Sequence, residues 1–438
     1  MDNDDLKKVL LKFPNMQSLV DRKETTLNRY YECVNKHISF CPSEYHELLF
    51  NAVYKYVCRT SFITPKEKEV LKKEFFKKGL VSTAEHHASI SHPETLNLIL
   101  NQLLCAESDG RKNIICLSCS TTKMDNELFP RGVFIGENKI PFLSNKFNKF
   151  FVSNTSKINE EIFWKNWKQF SDNKLLHSAQ EYNRQKIVEF MKQFFKSSSC
   201  LESYSEQISL LNYMLYKTFF LDVAAGTSYF MVPAEEIITQ VMEYERSLSH
   251  KTWVYRAIFS TKREKIYNVL DGARIFWDSS KEKGTFLFWD ISSDRPKSLF
   301  LKDGQLLSKD GKMSFNFTEE EIFDKLRSRE IIPSSGLVFL YLFSVFHLNL
   351  FGGILQVNYL EELKERLVRN HKELGVDDIS KVIDLPTNLY VNFQKNKISS
   401  GGLLLIDKPI NIDDYTEYKQ YGFVEQMDEC LNFLKLLL

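Results

Sequence analysis

Apolar residues recur along this chain with more than one rhythm, and each change of rhythm marks a change of element. From residue 1 to 79 the period is helical. Leu6, Val9 and Leu10, then Tyr45, Leu48, Leu49, Ala52, Val53 and Tyr56, then Val70, Leu71 and Phe75 fall at helix spacing, and Thr64-Pro65-Lys66-Glu67 carries a helix start signal. In Leu80 to Asn101 an apparent strand leads into a helix. Ser91 stands three residues before Glu94, as in a capping box, and Pro93 occupies the first turn. Leu96, Ile99, Leu100, Leu103 and Leu104 continue that helix, and after a polar break Asn113 to Ser118 reads as a buried strand. The order is β-α-β.

Further along, Phe129 to Ile135 and Ile140 to Leu143 flank a Gly/Asn turn and predict a hairpin. Residues 158 to 220 return to helical spacing, enough for two or three helices. Phe219 to Gly226 reads as a strand ending on small residues, and Val232-Pro233-Ala234-Glu235-Glu236 opens a helix with proline and acids in its first turn. Between Gly284 and Phe317, apolar runs separated by Asp303-Gly304 and Asp310-Gly311 predict a β-meander. Thr318 then caps a helix ahead of Glu321. The longest apolar stretch, Gly336 to Ile354, is interrupted by Ser344, His347 and Asn349, so a buried helix is expected there and not a membrane span. A helix from about Asn358 follows, and the tail from Ile383 is read as short strands and a final helix, Phe423 to Leu438.

Composition narrows the class. A chain of 438 residues is long enough for two or three domains, or for one domain with large insertions. Its 58 basic and 57 acidic residues balance, which argues against a dedicated nucleic-acid binder resting on phosphate neutralisation. The eight cysteines are scattered and read as reduced, and MDNDDLKK lacks the apolar region of a secretory signal, so a cytoplasmic location is expected. The abundance of Lys, Asn and Phe against few Gly and Pro suits an AT-rich bacterial genome.

The densest chemistry lies in the Leu80 to Asn101 stretch. A strand end followed by a helix N-terminus offers free backbone N–H groups and a favourable dipole to an anion, and His86, His87 and His92 stand at that turn. Imidazole suits anion contact, acid-base work or metal ligation; the plain alternative is loop or capping histidines. His-Glu-x-x-His spacing is missing, so no metal is expected. Cys116-x-x-Cys119 is a lone pair that reads as buried small hydrophobes. Lys123 and Asp125 follow the second strand's end, where ligand loops of open α/β sheets gather. Arg131 lies within reach of an anion, or is an ordinary surface arginine. Gly352-Gly353 permits close backbone approach, with Gln356, Asn358 and Tyr359 beyond it for polar contacts, or else serves helix packing. Asp222 with Gly226 lines the same crevice or simply turns a strand end. Neither a P-loop, a Gly-x-Gly-x-x-Gly nor a Gly-x-Ser-x-Gly elbow is present.

Two stretches carry a resemblance. Thr83-Ala84-Glu85-His86-His87-Ala88, with His92-Pro93, resembles the strand-to-helix motif of the bacillithiol-synthesis family that adds cysteine to glucosaminyl malate, with Ala84 where that family has Gly. Arg329-Glu330-Ile331-Ile332-Pro333 and Gly352 to Tyr359 are similar to its Arg- and Pro-containing helix entry and its Gly-Gly segment. The resemblance is patchy, from about residue 75 to 365, and the family's C-terminal coiled coil is not evident.

It implies a Rossmann-like core with helical segments, and together with the periodicity and the Asp-Gly turns the expected fold is α/β, a Rossmann-like parallel-sheet core with helical additions and a small β-meander insertion. The expected division is a helical lead-in at 1–79, the core with its helical insertion at 80–283, the meander at 284–317 and a part completing the core at 318–438. The expected function is a biosynthetic ligase or transferase joining an amino-acid-like nucleophile to a small metabolite. In that expectation His86, His87 and His92 are catalytic. Thr83, Glu85, Ser91, Lys123, Arg131, Arg329, Gly352, Gly353, Gln356, Asn358 and Tyr359 contact an anionic or nucleotide ligand at the His86 to Glu94 turn. The cofactor is open, a nucleotide among the candidates, and so is homodimer formation. The competing expectation is a non-catalytic nucleotide- or partner-binding module with structural histidines.

Overall fold

The computed structural model describes residues 3–420 except 23–25, 37–39, 41, 137, 173–180, 225, 274–276, 386, 388–390, 393–401 and 407–408, and beyond 420 only residues 423, 427, 430, 431 and 435. Strand β1 (Leu80–Ser82), the helix Pro93–Asp109 and strand β2 (Asn113–Ser118) form the expected β-α-β unit. The helix is capped differently from the expectation. His92, held extended ahead of a proline as such residues are, is the N-cap, and its Nδ1 accepts the Glu94 N–H at 3.2 Å. Ser91 Oγ instead accepts the Phe134 N–H at 2.9 Å.

The hairpin follows as β3 (Gly132–Ile135) and β4 (Asn138–Pro141), then helices Glu160–Asp172, Glu181–Ser198 and Tyr204–Phe219. The expected strand over Phe219 to Gly226 is not one. Phe219 closes the preceding helix and the chain turns through 220–224; strand β5 is Ser228–Pro233, leading directly into the helix Ala234–Glu245. Phe219 and Phe220 are fully buried, so their apolar run belongs to the helix face and not to a strand.

After a short hairpin of β6 (Trp277–Asp278) and β7 (Lys283–Gly284) comes the meander: β8 (Phe288–Asp290), β9 (Lys297–Lys302), β10 (Gln305–Ser308) and β11 (Ser314–Asn316). Asp303 and Gly304 both take positive φ, 49° and 77°, as a two-residue hairpin turn requires. The sheet is completed from outside 284–317 by β12 (Ile331–Pro333), antiparallel to β8. The Gly336 to Ile354 stretch divides. Helix occupies Ser335–Phe339 and continues as a π-helical turn over Leu340–Val345, His347 takes a left-handed φ of 50°, and β13 (Asn349–Gly353) follows. A run buried on all sides, its few polar residues included, has no hydrophobic period to separate helix from strand. The next helix, Gln356–Leu374, starts close to where it was expected, and the final helix expected over Phe423 to Leu438 lies largely outside the described residues.

Strands β1, β2, β5 and β13 form an all-parallel sheet, extended by the two-residue β14 (Val391–Asn392), in the order β14-β13-β1-β2-β5. By appearance in the chain that is fifth, fourth, first, second, third, so the winding direction reverses between β1 and β13. Side chains of β2 alternate between two cores. Ile114 and Cys116 join the helices Leu27–Lys36, Pro93–Asp109 and Tyr204–Phe219, while Ile115 and Leu117 join the helices His46–Thr60 and Ala234–Glu245 and the meander. The protein is a mixed α/β fold, and among the described residues no helix is long and apolar enough to cross a membrane.

The carboxyl end of β13 offers a direct test of packing. A Cβ on Gly352 would fall 1.9 Å from the Gln356 side chain, whereas one on Gly353 meets open space. Gly352→Ala should therefore lower stability by roughly 1–3 kcal/mol, and Gly353→Ala by far less. Urea denaturation of the two variants checks the contrast.

Candidate functional site

In an open parallel sheet, ligands gather outside the carboxyl ends of the strands. Here those ends present the loop after β1 (Thr83 to His92), the loop after β2 (Cys119 to Arg131), the start of the Ala234–Glu245 helix, and Gly353 to Tyr359 after β13.

At the reversal point Thr83 meets the Gly352 to Tyr359 part of the stretches singled out from the sequence, while Arg329 to Pro333 lies apart. Thr83 Oγ1 donates to Gln356 Oε1 at 2.8 Å, and the Tyr359 hydroxyl donates to the same oxygen at 3.1 Å. Gln356 Nε2 in turn reaches the Leu350 carbonyl at 3.3 Å. The residues converge, but their polar atoms satisfy one another. Asn358 is buried nearby in sequence, with neither amide atom partnered among the described residues. Gly353 is open and Gly352 is filled from above by Gln356.

The three histidines have different surroundings. His87 is fully buried, with Nδ1 2.7 Å from Ser118 Oγ and Nε2 2.8 Å from the Ser205 carbonyl. Burial pushes its pKa down from 6.5 to about 4. His92 caps its helix and packs edge-on against Phe134, ring centroids 4.7 Å apart; burial and then Lys139 hold it down to about 4. His86 forms a bridge with Cys119 that prolongs the β1–β2 pairing, and its buried Nδ1 has no partner among the described residues. Burial lowers its pKa, opposed by the Asn126 side chain and by the charge of Glu235.

Glu85 lies inside the protein, its carboxylate accepting from Ser82 Oγ at 2.6 Å, from Cys116 Sγ at 3.0 Å and from Gln102. Burial raises its pKa against those three donors. Lys123 is exposed on the loop after β2. Arg131 donates to Asn145 and lies over the Phe129 ring, 5.2 Å from its centroid. Arg329 sits elsewhere, between the helix Glu319–Arg327 and β12, with a left-handed φ of 55°.

That position puts Arg329 on the wall of an open cleft of about 250 Å³ between the carboxyl edge of the parallel sheet and the antiparallel sheet. Ile237, Ile291, Ile331 and Ile332 give the cleft apolar lining, and Arg59, Arg327, Arg329, Glu236 and Glu243 its charge. Arg59 is paired with Glu206 at 2.6 Å and Arg327 with Glu243 at 3.1 Å. Arg329 has no carboxylate within ion-pair distance among the described residues, although its charge is felt by Glu236. Ser153 also lines the cleft, its buried hydroxyl without a partner among the described residues.

Glu235 and Glu236 divide the work at the end of β5. Glu235 turns inward and its carboxylate accepts from Ser120 N and Oγ, both at 2.8 Å, from Thr121 Oγ1 at 2.8 Å and from Thr121 N at 3.3 Å. Glu236 lines the cleft and accepts from Ser205 Oγ at 2.5 Å. Burial holds its carboxyl above the usual carboxylate range, despite the Ser205 hydrogen bond and the charges of Arg329 and Arg59. No protein-family model and no curated protein matches this chain. The site therefore has to be read from its own chemistry.

Of the residues expected from the sequence, only Arg329 lines the cleft. Arg59, Ser153, Glu235 and Glu236 were not foreseen as site residues. Glu235 and Glu236 carried one signal, the Pro233-Ala234-Glu235-Glu236 helix opening, which the helix dipole explains equally well; Arg59 and Ser153 carried none. Among the described residues no group of three or more His, Cys, Asp and Glu side chains is placed to hold a metal.

The buried, neutral state of His87 has a measurable consequence. Unfolded His87 takes up a proton near pH 6.5 and the folded residue only near 4. In that window the unfolded state binds more protons, so the contribution is whole above 6.5 and is lost as pH falls towards 4, by up to about 3 kcal/mol. His87→Gln should be less stable than wild type at pH 7, with the gap narrowing on acidification. Urea denaturation from pH 7 to 4 measures it; a gap independent of pH would show that folded His87 titrates normally.

Proposed function

We propose that the protein is an enzyme of small-molecule biosynthesis whose substrate site is the cleft between the two sheets, with Glu236 as acid-base group and Arg329 as anchor for an anionic group. One observation carries this reading: a buried carboxyl with a raised pKa shares a cleft with a guanidinium that lacks an ion-pair partner among the described residues. Perturbed acids in clefts are typical of functional sites. An acid held above the usual range is better matched to proton transfer near neutral pH. In the joining of an amino-acid-like amine to an activated metabolite, the amine nitrogen bonds to the electrophilic carbon, the bond from that carbon to the metabolite's own leaving group breaks, and Glu236 takes the proton the nitrogen loses.

The reversal of strand order between β1 and β13 supports a Rossmann-like core. The meeting of Thr83 with Gln356 and Tyr359 supports the distant kinship with the bacillithiol-synthesis family. The His86 to Glu94 turn is the weaker ligand site, because His92 caps its helix and Ser91 is bonded to Phe134. A second reading, the non-catalytic binding module, is favoured by the commitment of both His87 nitrogens to the fold.

A thermal-shift screen of the full chain over amino acids, carboxylates, sugar phosphates and nucleotides tests the proposal. A stabilising ligand is expected whose affinity drops at least tenfold in Arg329→Ala, about 1.5–3 kcal/mol for a charged hydrogen bond. Glu236→Gln should keep binding and lose turnover. Binding indifferent to Arg329 refutes the cleft as the site, and binding without turnover of any mixture of the ligand with an electrophilic metabolite favours the module.

A further inference from the structure

Resting on that reading of the cleft, we propose that it selects a carboxylate carried on a short branched aliphatic body, and excludes phosphate esters and nucleotides. Size is the first argument. Sites for drug-sized ligands span about 300–1,000 Å³, and this cleft measures about 250 Å³, too little to enclose a base, a sugar and a phosphate together.

Charge is the second. Three arginines line the cleft, but Arg59 is neutralised by Glu206 at 2.6 Å and Arg327 by Glu243 at 3.1 Å. Of the three, Arg329 alone has no ion-pair partner among the described residues. One guanidinium matches the single charge of a carboxylate with two parallel hydrogen bonds. A phosphate dianion would need a second free cation, and would instead meet Glu243 and Glu236 on the same walls.

The lining is the third. Ile237, Ile291, Leu326, Ile331 and Ile332 present branched aliphatic surface beside Arg329, which a ligand of only charged and hydroxyl groups would leave wet. Ser153 adds a hydroxyl with no partner among the described residues, a further donor for the second lone pair of a carboxylate oxygen. An aliphatic amino acid and its deaminated acid share this chemistry, and they differ at Glu236. The Glu236 carboxyl adds a contact only for the ammonium group.

Calorimetric titration of the full chain with leucine, isocaproate, acetate, inorganic phosphate and adenosine monophosphate tests the proposal. Leucine or isocaproate should bind, with acetate weaker by at least tenfold, since each methylene in an apolar pocket is worth about tenfold or more. Arg329→Ala should abolish that binding while its urea denaturation midpoint stays at the wild-type value. Glu236→Gln, whose amide oxygen still accepts from an ammonium group, should leave isocaproate unchanged and keep leucine bound with no more than a few-fold loss. Phosphate or the nucleotide binding in an Arg329-dependent way overturns the selectivity while leaving the cleft as the site. Failure of both branched probes at millimolar concentration also overturns it, and binding of any probe that ignores Arg329 overturns the reading of the cleft itself.

Discussion

The carboxylate of Glu235 ties the carboxyl edge of the sheet together. A buried carboxylate is costly unless hydrogen bonds replace its water, and Glu235 collects five, one from the Cys119 thiol, two from Ser120 and two from Thr121. That cluster clamps the turn after β2 onto the helix that begins at the end of β5. Ser120 then accepts from the backbone of Ser153 at 3.1 Å, which brings Ser153 to the cleft wall. Glu236, one residue along the helix, is rotated away from the clamp and faces the cleft. Position and exposure of the acid-base candidate thus follow from the inward commitment of its neighbour.

The same need for satisfied backbone explains why the histidine-rich loop serves the fold. From Thr83 to Ser91 the chain is largely buried without regular strand pairing, and each N–H and C=O there requires a partner. Asn212 supplies two, accepting from Ile90 N at 2.9 Å and donating to the Ala88 carbonyl at 2.8 Å. His87 ties Ser118 of β2 to Ser205 of the neighbouring helix, and that helix's Ser205 hydroxyl donates to Glu236. A neutral imidazole, with one donor and one acceptor nitrogen, bridges such groups without burying a charge.

How much of this was legible depends on where the signal is stored. The β-α-β unit, the β3–β4 hairpin and the meander follow from periodicity and Asp-Gly turns, both local properties. Gly336 to Ile354 was misread because a run buried on every side carries no period, and Phe219 to Gly226 because the buried end of a helix, Phe219 and Phe220, runs straight into an exposed turn at Leu221 and Asp222. For the site, the resemblance led to one shared site for the Thr83 and Gln356-to-Tyr359 stretches, and they do meet, but the sequence does not foretell the outcome of that meeting. Whether the side chains open to a ligand or bond to one another depends on fractions of an ångström in three dimensions. Arg59 was silent, and Glu236 read only as a first-turn acid, because each sits in an ordinary helix, and only the approach of the antiparallel sheet turns their surroundings into a cleft.

The closed reversal point and the open cleft are complementary features of one edge. In a sheet wound in both directions the gap at the reversal is the natural place for a ligand, but here the absence of a side chain on Gly352 lets Gln356 fold down between β1 and β13, where Thr83 and Tyr359 fix it. The gap is filled by the protein's own amide. The remaining opening along the carboxyl edge lies beyond β5, where the antiparallel sheet stands off from the helix Ala234–Glu245. β12 spans this opening, for Ile331 and Ile332 pair with β8 on one side while Arg329, two residues before, lines the cleft. A left-handed φ of 55° at a non-glycine residue costs of order 1 kcal/mol. That strain falls on the residue whose guanidinium is left without an ion-pair partner among the described residues, and strained backbone of this kind concentrates where a ligand is held.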